Sequence, residues 1–260
     1  MTTTIKQRLA SGEIVRVLAL GSLASPKLVE IAGLAGGFQG VWIDQEHSAI
    51  PHQQLELLVM ACRAAGLDAF VRVAPTDYAT VMRPMETGAG GVMVAQIRST
   101  DQVRQIVQWA KYPPLGVRGL FGANYEAGYG TANPAQHIER ANRERWFCVQ
   151  IETLEAVECV DEIAAVEGVD SLFVGPSDLS CTLGVPGEAM HPKCIAALER
   201  VAAAVKKAGK SWGVLTRGPE HAAKCRELGC QLFSLVGDLD LVQRGLQATK
   251  KLYSDFFPAS

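Results

Sequence analysis

Acidic and basic side chains collect at the ends of short apolar runs in this sequence. They are Asp44, His47, Arg72, Glu152 and Asp178. Carboxylates, guanidinium groups and imidazoles are the groups with which proteins bind metal ions, stabilise anions and move protons. Because an unpaired carboxylate is costly to bury at the end of an apolar strand, Glu152 requires a metal ion or an arginine beside it.

Two carboxylates with neutral oxygen donors form a site that suits a hard cation such as Mg²⁺ or Mn²⁺. Such an ion polarises a bound carbonyl group and makes the neighbouring carbon easier to deprotonate. Arg72 would then stabilise the enolate oxygen, and the backbone N–H groups of Ser177 and Asp178 would hold a substrate carboxylate. A Schiff-base mechanism would instead need a lysine at a strand end, and Lys27 is the only near candidate.

Each of these residues also has an ordinary structural explanation. Asp178 could cap a helix, His47 could be a structural histidine, and Arg72 could form a plain ion pair. The catalytic interpretation depends on their common position, because strand ends form the active-site rim of a parallel α/β barrel. Asp44 stands three residues before His47, and this spacing predicts a carboxylate–imidazole pair, which strengthens the catalytic interpretation.

The elements that must position these residues repeat along the whole chain. Apolar runs alternate with amphipathic stretches, which is typical of parallel strands covered by helices. Eight such units predict a single (β/α)8 barrel domain over residues 1–260. An open dinucleotide-binding sheet is disfavoured because no G-x-G-x-x-G follows the first run. The predicted strands are 15–21, 40–44, 69–73, 91–96, 147–152, 171–175, 212–216 and 232–237.

Helical periodicity is clearest at residues 51–65 and 100–112. Pro84 argues against an uninterrupted third helix over 76–86, because a proline inside a helix should break or kink it. The segment 116–130 is rich in glycine and aromatic residues, and we expect a long functional loop there.

Composition limits the other functions that the protein could have. With 48% hydrophobic residues the chain can bury a large core. Its 25 basic residues nearly balance 27 acidic ones, so the composition does not indicate the excess of positive charge that binds nucleic acid or an anionic membrane surface. The first residues are not predicted to form a signal peptide. Seven scattered cysteines without a C-x-x-C pair are typical of reduced thiols. We therefore expect a cytoplasmic protein.

Six motifs stand in order along the chain: Trp-Ile-Asp-x-Glu-His-Ser at 42–48, Val-Arg-Val at 71–73, Tyr-Pro-Pro-x-Gly-Val-Arg-Gly at 112–119, Val-Gln-Ile-Glu-Thr at 149–153, Glu-Gly-Val-Asp-x-x-Phe-Val-Gly-Pro-Ser-Asp-Leu at 167–179 and His-Pro at 191–192. Together they resemble the HpcH/HpaI aldolase family. Its class II members include 4-hydroxy-2-oxoheptanedioate and 2-keto-3-deoxyglucarate aldolases. The similarity runs from about residue 15 to residue 256.

The resemblance implies a metal-dependent aldolase that cleaves or forms 4-hydroxy-2-keto acids, through a pyruvate or hydroxypyruvate enolate and an aldehyde. Glu152 and Asp178 would bind the metal, which would be Mg²⁺, Mn²⁺ or Co²⁺. His47 paired with Asp44 would transfer protons. The substrate-binding residues would be Arg72 at the enolate, Gln150 beside the keto group, and Gly175, Pro176, Ser177 and Asp178 around the carboxylate. Members form homo-oligomers, hexamers built as trimers of dimers with the last helix exchanged between subunits.

Two departures from the family pattern concern the aldehyde. Glu126 stands where the resemblance predicts an arginine, which would favour neutral or hydroxylated aldehydes over succinic semialdehyde. No tryptophan lies near Val17, where many relatives place one over the substrate.

Two other functions stay open: the enolate could react with another electrophile, as in a synthase or an oxaloacetate decarboxylase, or the barrel could be a non-catalytic binding protein. The last is disfavoured because none of the predicted rim residues is missing.

Overall fold

A closed barrel of eight parallel strands forms the centre of the computed structural model, which describes residues 3–257. The strands are β1 Val15–Leu20, β2 Gly40–Asp44, β3 Asp68–Val73, β4 Gly91–Val94, β5 Trp146–Ile151, β6 Ser171–Val174, β7 Ser211–Leu215 and β8 Leu232–Gly237. Each strand pairs with the next along the chain, and β8 pairs with β1. The predicted (β/α)8 fold is confirmed, and each predicted strand overlaps an observed one.

Helices cover the outer face of the barrel. They are α1 Ile5–Ala10, α2 Pro26–Ala35, α3 His52–Ala64, α4 Tyr78–Glu86, α5 Thr100–Ala110, α6 Pro134–Glu144, α7 Leu154–Glu158, α8 Val160–Ala165, α9 Pro176–Thr182, α10 Pro192–Lys207, α11 Pro219–Glu227 and α12 Asp238–Leu252. The break predicted at Pro84 is wrong. This proline lies in the last turn of α4, where the loss of its single N–H hydrogen bond leaves the preceding turns intact.

Large aromatic rings fill the inside of the barrel. Trp42, Phe70, Trp146 and Phe173 pack with ring centroids 5.1 to 6.2 Å apart. A second apolar cluster lies between the strands and the helices, because alternate strand residues point outward. The barrel is therefore packed throughout, as the alternating pattern of apolar strands and amphipathic helices requires.

Helix α1 closes the amino-terminal end of the barrel. Its Ile5 and Leu9 are buried in the interior cluster. Asp68, the first residue of β3, accepts a hydrogen bond from the Ile5 backbone N–H at 2.7 Å. Because one end of the barrel is closed in this way, access to the interior is confined to the carboxyl-terminal ends of the strands.

Two further findings concern the chain as a whole. All seven cysteines lie within the described residues, and each is a free thiol. Over residues 3–257, no helix combines the length and the apolar character that crossing a membrane requires.

Candidate active site

The Arg72 guanidinium lies between two carboxylates at the carboxyl-terminal rim. Arg72 in β3 is the register partner of Asp44 in β2, and its Nε and Nη2 donate to Asp44 Oδ1 and Oδ2 at 2.9 and 2.7 Å. Its Nη1 lies 3.0 Å from Oε2 of Glu46. The guanidinium also packs 4.7 Å from the centre of the Trp42 ring. These contacts fix the position of a cation that is only 7% exposed.

The imidazole of His47 is exposed at the same rim. Its side chain is 63% exposed, and its Nε2 lies 3.9 Å from Oε2 of Glu46. The contact with Asp44 is made by the His47 backbone N–H, at 3.5 Å. Among the described residues the Asp44 carboxylate is held by Arg72, and its side chain forms no pair with the His47 imidazole, so the proton-transfer role of that pair stays a prediction. The imidazole itself remains free to reach a bound molecule.

Glu152 is fully buried just beyond β5, with 0% of its surface exposed. Its Oε1 accepts hydrogen bonds from the backbone N–H and the side-chain amide of Gln96, at 2.9 and 3.2 Å, and its Oε2 accepts one from the amide of Gln150. The pKa of Glu152 is raised to about 7, mainly because the carboxylate is buried. The Gln96 N–H lowers this pKa, whereas the charges of Glu46 and Asp178 add to the increase. The ionised form therefore gains from a cation.

The predicted turn Gly175-Pro176-Ser177-Asp178 follows β6 and opens α9 at the same rim. Asp178 is half-buried, and its charge acts on the Glu152 carboxylate. The hydroxyl of Ser177 accepts a hydrogen bond from Nη2 of Arg217. The structure thus places this turn against Glu152, as the sequence predicts.

The space around Gly175 suits a bound cation. A Cβ at this position would lie 2.5 Å from Oε2 of Glu152 and 2.6 Å from Nε2 of Gln150, so glycine leaves the carboxylate uncovered. Oε1 of Gln150 is buried and has no hydrogen-bond partner among the described residues. Within residues 3–257 no three His, Cys, Asp or Glu side chains form a metal cluster. Two carboxylates completed by neutral oxygens are nevertheless a set that hard divalent ions accept, so the residues present fit such an ion.

Gly175→Ala should weaken divalent metal binding by at least about tenfold, the lower end of the loss seen when groups that orient metal ligands are removed. The backbone of Gly175, with φ −93°, tolerates alanine, so the effect comes from the methyl group meeting the carboxylate. We expect a stability loss of about 1–3 kcal/mol from overpacking. Mn²⁺ titration followed by electron paramagnetic resonance measures the affinity, and calorimetry measures the stability.

Gly122→Ala is the matched control for this substitution. Gly122 lies in the loop after α5 with no atom within 4 Å of an added Cβ, so both Mn²⁺ affinity and stability should be retained. Wild-type Mn²⁺ affinity in Gly175→Ala would show that the carboxylate pocket is not the metal site.

A cavity of about 700 Å³ opens beside Arg72, within the size range of small-molecule sites. It lies over the carboxyl-terminal ends of β1, β2, β7 and β8, and Asp44 and His47 are on its wall. Ala19 lines it from β1, so a small side chain stands at this end of the strand. The rim therefore has two parts, a buried carboxylate pocket at Glu152 and an open cavity at Arg72.

Glu126 does not face this cavity within its own subunit. Its carboxylate accepts hydrogen bonds from Nη2 of Arg118 at 2.5 Å and from Nε of Arg145 at 2.8 Å, and the residue is 2% exposed. Arg145 also donates to the Ala89 carbonyl, which places the group beside the amino-terminal ends of β4 and β5. The basis of the aldehyde prediction is therefore wrong, because two arginines neutralise Glu126 at the end opposite the rim.

Three site residues received no role from the sequence. Glu46 pairs with Arg72, Gln96 holds Glu152, and Arg217 binds the Ser177 hydroxyl. Gln96 has a left-handed backbone, φ 57°, a conformation that costs a non-glycine residue about 1–3 kcal/mol and that occurs at functional sites. Glu46 lies inside a motif that the sequence analysis used, and Arg217 comes two residues after β7. For Glu46 and Arg217 alike, the sequence signal that could have indicated a role in the site is a position shortly after a strand.

Fold and rim together define a (β/α)8-barrel enzyme with a site built from carboxylates and an arginine. Residues 16–244 match the model of the HpcH/HpaI aldolase/citrate lyase family, and the chain belongs to that family. It is 34% identical to the hydroxypyruvate/pyruvate aldolase of Pseudomonas aeruginosa over 254 residues, which cover 98% of this chain and 94% of the relative. The resemblance drawn from the sequence motifs is confirmed.

Two solved structures show the same likeness. The HpcH/HpaI aldolase from Desulfitobacterium hafniense superposes with a TM-score of 0.89 at 32% identity, covering 99% of this chain and 98% of the other. The citrate synthase SbnG superposes with a TM-score of 0.87 at 29% identity, covering 97% and 98%. The fold is therefore shared over nearly the full length with proteins whose names give different activities.

Proposed function

We propose that this chain is a class II aldolase, which cleaves or forms 4-hydroxy-2-keto acids through the enolate of pyruvate or hydroxypyruvate and an aldehyde. The observation that carries the proposal is the buried Glu152 carboxylate, which lies near Asp178 and has no cationic partner among the described residues. The name of the Pseudomonas aeruginosa relative supports the substrate class. Lys27, the near candidate for a Schiff base, is exposed and does not line the cavity, which further disfavours a class I mechanism.

Glu152 and Asp178 would hold a divalent ion, Mg²⁺, Mn²⁺ or Co²⁺. When bound, such an ion polarises the keto group and stabilises negative charge on its oxygen. Gln150 would sit beside the keto group, as the resemblance implies. Its amide oxygen, which lacks a partner among the described residues, can accept a hydrogen bond or complete the oxygen donors around the ion. The backbone N–H of Ser177 would hold the keto-acid carboxylate, with Gly175 and Pro176 shaping the turn, as the resemblance implies.

Arg72 and His47 would act on the reacting atoms. A guanidinium has five N–H groups; Asp44 takes two and Glu46 faces a third, so Arg72 retains two donors for the enolate oxygen. The exposed imidazole of His47 can exchange protons with a molecule in the cavity. Asp44 would keep Arg72 in place, as a positioning residue for the guanidinium.

The proposal is tested by incubating the protein and Mg²⁺ or Mn²⁺ with pyruvate or hydroxypyruvate and a panel of aldehydes. Mass spectrometry should detect a 4-hydroxy-2-keto acid whose mass is the sum of the two reactants. Absence of every addition product, with metal bound and protein folded, would contradict an aldolase.

The likeness to a citrate synthase favours a second candidate, in which the enolate meets another electrophile or forms by decarboxylation of oxaloacetate. Incubation with oxaloacetate tests the decarboxylating form, which should release CO₂ and pyruvate faster than the metal alone and give no addition product with the aldehyde panel. A non-catalytic barrel is not favoured, since none of the predicted rim residues is missing.

The homo-oligomer implied by the resemblance is supported by α12. This helix and the residues after it expose large apolar side chains: Leu239, Leu241, Val242, Leu246, Leu252, Tyr253, Phe256 and Phe257. Contiguous exposed apolar surface of this kind marks an interaction site, so we propose that α12 packs on a neighbouring subunit of a hexamer. Leu246→Asp should shift sedimentation to smaller species, whereas Gln247→Asp should not.

A cytoplasmic location and one domain over residues 1–260 stay predictions.

A further inference from the structure

The loop that follows β7 is held by β8 on one side and by α11 on the other. The backbone N–H and the hydroxyl of Thr216 both donate to the Ser234 carbonyl of β8, at 2.9 and 3.1 Å. The backbone N–H of Arg217 donates to Nδ1 of His221, in the first turn of α11, at 3.2 Å. Gly218 then turns the chain into the helix with φ 98°, a positive value that favours glycine. The backbone of Arg217 is therefore held in place by a histidine side chain.

The imidazole of His221 is buried, with 1% of the residue exposed. Because a backbone N–H can only donate, Nδ1 must be the unprotonated nitrogen, and Nε2 carries the proton of the neutral ring. Nε2 lies 3.7 Å from Sγ of Cys225, one turn further along α11. Burial lowers the pKa of His221, and the charge of Arg217 lowers it further. The ring therefore stays neutral and remains an acceptor for the Arg217 N–H.

The side chain of Arg217 reaches from this loop to the turn after β6. Its Nη2 donates to the hydroxyl of Ser177, and β6 and β7 are paired neighbours in the barrel. Since Arg217 is otherwise exposed, the position of its guanidinium depends on where its own backbone is held. His221 and Ser177 are thus connected through a single arginine, which His221 holds by the backbone and Ser177 by the side chain.

We propose that His221 is a positioning residue for the keto acid, because it holds Arg217 against the turn that receives the keto-acid carboxylate. The inference rests on the proposed aldolase function, in which the backbone N–H of Ser177 binds that carboxylate. Without the acceptor at His221, the Arg217 N–H has no partner and the loop no longer holds the guanidinium at Ser177. Binding groups that shift by a fraction of an ångström hold their substrate less well. A histidine with a structural role only would affect stability and leave pyruvate binding unchanged.

Two substitutions of His221 separate the roles of its ring nitrogens. The side-chain oxygen of asparagine takes the place of Nδ1, whereas the amide of glutamine reaches the place of Nε2. Exchange of the pyruvate methyl protons in D₂O, with saturating Mg²⁺ and no aldehyde, gives KM and kcat. His221→Gln should raise the pyruvate KM about tenfold, a factor typical of one lost hydrogen bond. Its kcat should stay near that of the wild type, because the contact serves the bound substrate and the transition state alike. His221→Asn should keep the wild-type KM.

Arg217→Gln tests the second contact of the same connection, and it should raise the pyruvate KM by a similar factor. The double variant His221→Gln/Arg217→Gln should be no worse than either single variant, because both residues act through one contact. His137→Gln is the matched control. It replaces a histidine of α6 that is also 1% exposed, pairs with the Tyr112 hydroxyl and lies outside the open cavity at Arg72. It should lower the melting temperature without changing KM.

A wild-type KM in folded His221→Gln would overturn the proposal, and so would equal rises in His221→Gln and His221→Asn or additive effects in the double variant. Arg217→Gln alters an exposed side chain and is expected to fold, so a wild-type KM in that variant overturns the proposal even where a His221 variant does not fold. Wild-type protein that shows no exchange would remove the aldolase function itself. Normal wild-type exchange together with any of the contrary results would remove this inference alone.

Discussion

Glu152→Gln should bind no divalent ion at concentrations that saturate the wild-type protein, and it should lose at least about 10²-fold in turnover while it remains folded. The amide keeps the shape of the side chain and can still accept the Gln96 N–H, but it removes the charge that a cation requires. Groups that merely orient metal ligands cost about 10–100-fold when mutated, so the loss of a ligand should equal or exceed that.

Stability measurements separate this outcome from general damage. Because a buried charge without a partner is unfavourable, the metal-free variant should be as stable as the metal-free wild type or more stable. Metal at 100 times its Kd should stabilise the wild type by about 2.7 kcal/mol and the variant not at all. Glu155→Gln, at an exposed surface pair with Arg98, should keep the full metal effect. An equal metal-induced gain in Glu152→Gln would mean that the ion binds elsewhere.

Arg72→Ala should lower kcat by about 10²–10³, or roughly 3–4 kcal/mol, because it removes a fixed donor to a developing oxyanion. A contact that strengthens in the transition state appears in kcat rather than in KM alone. The structure adds a second expected effect. Asp44 and Glu46 would be left without their cation, and breaking a buried ion pair typically costs about 3–5 kcal/mol of stability.

Arg72→Lys is therefore the informative variant. Lysine keeps a positive charge between Asp44 and Glu46, so its melting temperature should lie near that of the wild type. It lacks the planar fork and should recover only part of kcat. Arg98→Lys, an exposed arginine after β4, is the control and should change neither quantity. Wild-type kcat in Arg72→Lys, or in a destabilised Arg72→Ala, would leave Arg72 with a structural role only.

The fold was predictable because its signal is local and repeated. Apolar strands that alternate with amphipathic helices have few solutions, and eight units close into a barrel. Strand ends shifted by only one or two residues, as at β4, where the predicted 91–96 became Gly91–Val94. The shift has a cause in the site, since Gln96 leaves the strand conformation to direct its N–H at Glu152.

Side-chain partners were harder to predict, because they depend on which strands are neighbours. Asp44 was assigned to His47, three residues away, but register places it beside Arg72 on the next strand. Glu126 shows the same limit over a longer distance. Its arginines, Arg118 and Arg145, are brought to it by the packing of the 116–130 loop at the closed end of the barrel. A family pattern gives the residue type at a position and not the direction in which the side chain points.

The claim that the rim forms a pyruvate enolate with the help of a divalent ion is tested most directly by proton exchange at the methyl group of pyruvate. The protein is incubated in D₂O with pyruvate and no aldehyde, and the methyl signal is followed by NMR. With Mg²⁺, Mn²⁺ or Co²⁺ the signal should decay at an enzyme-dependent rate. EDTA should stop the decay and added metal should restore it. No exchange under metal saturation, or undiminished exchange in EDTA, would contradict the account.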